Sequence, residues 1–134
     1  MRLKVLGVIV TAIVWIAVAP AAAHHAFSAE FDETKPVSLT GTVTSVRWAN
    51  PHAWIYIDVQ GEDGQVLNWA MEFGGANSLY RRGWRQSDVA PGTLVTIEGF
   101  QARNGTPTAN ARNIALPDGR RLFSGTVPAE GAPQ

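Results

Sequence analysis

The 134 residues contain no cysteine. That excludes disulfides, thiolate-held metals and cysteine nucleophiles. Histidine is scarce: His24, His25 and His52 are the whole supply, which limits both general bases and imidazole ligands. Of the two methionines, only Met71 lies beyond the first residue. Neither sign of charge is in excess, with 11 basic and 11 acidic residues. Such a chain has no electrostatic basis for capturing nucleic acid or an anionic membrane. No Ser/His/Asp grouping at recognisable spacing, no H-E-x-x-H and no phosphate loop occurs, so the chain carries no catalytic motif and reads as a non-enzyme.

What is there suffices for one core. Apolar residues make up 46% and charged residues 16%, a balance that folds. Met1 to Ala23 reads as a secretory signal peptide. Arg2 and Lys4 form the basic start, Val5 to Val18 the apolar run, and Pro20 followed by Ala21-Ala22-Ala23 the small-residue cleavage site. The run is shorter than the ~20 apolar residues a spanning helix needs, so no stable membrane insertion is expected after cleavage. The expected location is the periplasm. Removal of the segment leaves 9 basic against 11 acidic residues.

Cutting after Ala23 puts small residues at both recognition positions and makes His24 the mature N-terminus. Its free amine and imidazole, with the imidazole of His25, form a nitrogen donor set suited to Cu(II), Ni(II) or Zn(II). The alternative is a solvated terminus that happens to carry two histidines. Residues 24–36 read as an N-terminal arm, polar and acidic through Glu30, Asp32 and Glu33.

Residues 37–123 read as an all-β domain with one short helix. Val37 to Trp48 is a strand whose apolar phase slips near Thr44-Ser45, which predicts a β-bulge. Asn50-Pro51 is a turn, and His52 to Val59 alternates with period two. Ala53, Ile55, Ile57 and Val59 take one face; His52, Trp54, Tyr56 and Asp58 take the other. Gly61-Glu62-Asp63-Gly64 is a hairpin turn. Val66 to Phe73 puts Leu67, Trp69, Met71 and Phe73 on its apolar face. Asn77 is the expected N-cap of a helix through Arg82, with Gly83 just past its end. Strands follow at Leu94 to Phe100 and Thr108 to Leu116, with a short closing one at Arg121 to Phe123. The order is that of a small OB-like five-stranded barrel. Residues 124–134, rich in Pro and Gly, read as a disordered tail.

Three sites follow. His52, behind a rigid turn, is either a metal ligand or a histidine bonded to a turn carbonyl; with His24 and His25 it makes the candidate metal set, for copper or another divalent metal. Trp48, Trp54 and Tyr56 are the candidate ligand-binding aromatics, either a stacking platform or residues covered by the barrel ends. Asp58 and Glu72, outward on adjacent strands, are a candidate carboxylate pair. Arg81, Arg82 and Arg85 with Trp84 form a basic-aromatic cluster, best explained as charge complementing a helix end. The expected partner is a metal ion or, alternatively, an envelope protein docking on the outward aromatics; nucleic acid is not expected.

Ala23-His24-His25-Ala26-Phe27, Glu30-Phe31-Asp32, Gly41-Thr42-Val43, Trp48-Ala49-Asn50-Pro51-His52-Ala53-Trp54, Gly83-Trp84 and Pro91-Gly92 resemble a family of uncharacterised exported bacterial proteins. The resemblance covers nearly all of the chain after the signal. It implies an exported protein and hands over no catalytic residue. A weaker likeness is to small periplasmic OB-fold copper chaperones, which use a His, a Trp and methionines. It implies His52, Trp69 and Met71, but the methionine-rich strand of those proteins is missing.

Overall fold

Backbone N–H and C=O groups of an alternating segment need partners on a neighbouring strand. The computed structural model, which describes residues 27–124, satisfies them in a closed circuit. The chain divides into two compact units, Met1–Glu30 and Phe31–Gln134. Of the first, residues 27–30 are described and are helical. The signal-peptide reading, His24, His25 and residues 125–134 lie outside the described residues.

The second unit contains β1 (Phe31–Arg47), β2 (His52–Gln60), β3 (Val66–Gly74), helix α1 (Ala76–Arg81), a 3-10 helix (Gln86–Val89), β4 (Leu94–Ala102), β5 (Thr108–Ala115) and β6 (Arg121–Phe123). β1 pairs antiparallel with β2 and β4, β2 with β3, and β4 with β5. A short parallel ladder joins β3 to β5 through Ala70–Thr108, Met71–Ala109 and Glu72–Asn110. The pairings therefore run β1–β2–β3–β5–β4 and back to β1 in an OB-like ring. β6 adds an edge to β5.

The predicted bulge is present: the β1–β2 register shifts between Val43 and Ser45. The extra residue moves the inward position from Val43 to Val46, so both sides of the bulge face the core. Gly41 is required by close approach, because a Cβ there would lie 2.6 Å from the Asp58 carbonyl oxygen. Gly99 is tighter still, at 2.1 Å from that of Asn110. β1 starts at Phe31, earlier than the expected Val37, and its register to β4 shifts between Phe31 and Pro36. Phe31 anchors that extension: it pairs with Ala102 and is buried.

Inward residues from all five ring strands form the core, with Val43, Ile55, Ile57, Met71, Phe73, Val95, Ile97 and Ile114 among them. Leu79, Trp84 and Val89 add to it from the β3–β4 connection. Trp84 stands edge-on to Phe73, centroids 5.3 Å apart, and its Nε1–H donates to the Phe123 carbonyl. It is thus a core residue and not part of a surface cluster with Arg81, Arg82 and Arg85. Arg85 stacks on Tyr80 and donates to the carbonyls of Tyr80 and Trp84, as charge at a helix end predicts.

Helix α1 begins differently from expectation. Gly75, not Asn77, is its N-cap. The missing acceptor comes from a distant residue: Asn50 Oδ1 accepts the Asn77 N–H at 3.1 Å, and the Ala49 carbonyl accepts that of Ala76 at 3.0 Å. Gly83, at φ +93°, ends the helix as expected.

Candidate outer-face polar site

β2 begins at His52, and three contacts fix that start. The Asn50-Pro51 turn docks on the first turn of α1 through the bonds above. His52 pairs with Gly74 across β3. The Gly74 N–H in turn donates to the Ser124 hydroxyl at 3.1 Å. Ser124, expected in the tail, is fully buried, and its N–H donates to the Arg112 carbonyl. The imidazole of His52 thus leaves a braced backbone.

Cross-strand pairing sets its neighbours. Phe100, Asn110, Glu72, Trp54 and Arg47 are successive partners along one row of the ring. This row lies on the outer face, opposite Ile55, Met71 and Ala109. An outer face is ordinarily solvated, yet Glu72 is only 5% exposed and Asn110 2%. A buried carboxylate must be compensated, since an unpaired one costs several kcal/mol. His52 Nδ1 is bonded to Glu72 Oε1, and the Asn110 side-chain amide donates to the same oxygen at 3.4 Å. The site therefore spans three strands: imidazole on β2, carboxylate on β3, amide on β5. The His52 side chain is 47% exposed against 7% for Glu72.

The outward aromatics divide. Trp48 packs against the core cluster. Trp54 and Tyr56 are half-buried on the outer face, with Trp54 directly opposite Glu72. Trp69 packs against the core and Met71 lies within it, as apolar-face residues should. The Asp58–Glu72 carboxylate pair does not form. Asp58 pairs with Asn68, four residues along β3 from Glu72, a separation of about 13 Å at strand rise. Asp58 instead accepts from the Asn68 amide at 2.8 Å.

Sequence reading missed Glu72 as a buried group and Asn110 altogether. The available signal was asparagine within residues 108–115, a type depleted in strands. Among the described residues, no three His, Asp or Glu side chains gather as a metal cage, and no helix is long and apolar enough to cross a membrane.

The model of a family of unknown function, DUF6152, matches residues 12–111. The chain belongs to that family. No curated protein and no solved structure matches it. The match spans β1 to β4 and the first half of β5, so His52, Glu72 and Asn110 all fall inside the DUF6152 segment.

Proposed function

We propose that this DUF6152 protein is an exported, periplasmic, non-enzymatic binding module that takes Cu(II) or a related divalent metal through histidine. One observation supports the reading above others. His52 has Nδ1 engaged by a buried carboxylate, while its other ring nitrogen has no hydrogen-bond partner among the described residues, on a half-exposed side chain. Metal-ligating histidines are held in this way, with the second nitrogen bonded to a carboxylate or carbonyl. His52 is the sole histidine among the described residues; His24 and His25, outside them, are the further nitrogen donors that the sequence offers. After cleavage behind Ala23 these offer two imidazoles and the terminal amine, a set suited to Cu(II).

The test is calorimetric titration of Cu(II) into mature protein whose terminus at His24 has been verified by mass spectrometry. The expected result is one site tighter than micromolar, weakened at least about 10-fold by His52→Ala. Binding weaker than micromolar, or indifferent to both His24→Ala and His52→Ala, would sink the reading.

The half-buried Trp54 and Tyr56 on the outer face favour a second reading, docking of an envelope protein. Its test is capture from envelope extract by the wild-type protein and by Trp54→Ala. A partner retained equally by both removes this alternative.

A further inference from the structure

We infer that Glu72 is a positioning residue for His52: it holds the imidazole as the Nδ1–H tautomer and leaves Nε2 as the lone-pair nitrogen, with Asn110 bracing the carboxylate. The use of this arrangement rests on the metal-site reading; its geometry does not.

Hydrogen-bond inventory comes first. When Glu72 is a carboxylate its oxygens only accept, so the ring nitrogen bonded to Oε1 then carries the proton. The neutral ring then has its lone pair on Nε2. A free histidine populates both tautomers, and only an unprotonated nitrogen binds a metal. Holding Nδ1–H therefore commits the ring before any ion arrives.

Burial comes second. At 7% side-chain exposure, the Glu72 carboxylate has little access to water as a competing donor, so the imidazole bond is not readily exchanged for a solvent bond. An exposed Glu on a strand face would swing between rotamers and specify nothing.

The brace comes third. Asn110 donates to the same Oε1 that His52 engages. Its backbone pairs with Glu72 in one of the three residue pairs that close the ring between β3 and β5. The orientation of a half-exposed ring on β2 is thereby transmitted from a backbone ladder on the far side of β3.

The test is a long-range ¹H–¹⁵N correlation spectrum of metal-free mature protein at mildly alkaline pH, with His52→Ala identifying the His52 signals. The expected wild-type result is a protonated Nδ1 and a pyridine-type Nε2. Glu72→Gln, which keeps the shape but replaces an acceptor-only group with one that can also donate, should shift both nitrogens toward the tautomer average. It should also weaken Cu(II) about 10-fold, the usual cost of losing a partner behind a ligand. Asn110→Ala should produce a smaller shift in the same direction, which keeps a variant in hand if Glu72→Gln fails to fold. Wild-type His52 already averaged, or protonated at Nε2, overturns the inference whatever copper does. The expected tautomer in a protein that ignores copper sinks the metal-site reading and leaves the positioning of the ring standing.

Discussion

Two polar clusters tie distant parts of this ring together, and they differ in solvent. The first is His52–Glu72–Asn110, on the outer face of β2, β3 and β5. The second is Asp88–Arg120–Asp118, where Arg120 reaches Asp88 at 2.8 Å and Asp118 at 2.7 Å. Both join segments far apart in sequence. In the first, the carboxylate and amide are buried. In the second, the guanidinium is 49% exposed and Asp118 52%, with Asp88 at 11%. Water reaches the guanidinium and Asp118 of the second cluster, and little of Glu72 and Asn110 in the first. The two clusters should therefore have unequal consequences for stability.

Removing the buried acceptor sharpens that contrast most. Glu72→Ala strips the acceptor from His52 and from the amide of Asn110, and leaves a gap between β2 and β5. The expected loss is about 2–3 kcal/mol, read from the urea midpoint at constant slope. A midpoint within error of wild type would show that the cluster is as replaceable as the exposed one.

Arg120→Ala should have the smallest effect, below that of Glu72→Ala, and its contribution should fade as salt is added, because exposed ion pairs are screened. Acid gives the same cluster a second signature. The Arg120 backbone N–H first, and then its guanidinium, hold the Asp118 carboxyl below the usual carboxylate range. A depressed folded-state pKa contributes stability above the unfolded value, ~3.9 for Asp, and that contribution disappears as pH falls through the folded value. The Asp118 contribution should therefore be intact at neutral pH and lost below about pH 4. Arg120→Ala should flatten this acid dependence only in part, since the backbone bond survives. Urea midpoints measured between neutral and strongly acidic pH check both points, and a full loss of the dependence would mean that the guanidinium dominates.

Much of the fold was legible because its determinants are local. Alternation through His52–Val59 marked β2, the apolar phase slip marked the bulge at Val43/Ser45, and Gly83 marked the end of α1. Other features were not legible because they rest on pairs far apart in sequence. Asn77 was a reasonable cap until Asn50, 27 residues away, supplied the acceptor. Trp84 beside three arginines looked like surface until the ring brought Phe73 and Phe123 to it. The candidate site divides in the same way. His52 stood out by its rarity and its place behind a turn, and Trp54 and Tyr56 by their alternation. Trp48, with them in sequence, follows the bulged phase and packs against the core.

The alternating strand at His52–Val59 already carried, in its own residues, the presence of two chemically different faces, since side-chain direction in a strand depends on local backbone geometry alone. What that outer face contains was decided by tertiary structure. Period two places Glu72 outward and goes no further. Its bonded partners, His52 on β2 and Asn110 across the β3–β5 ladder, are long-range neighbours fixed only by strand register. Closure of the ring brings them together, and it turns an ordinary outward carboxylate into the partner that holds the imidazole of His52.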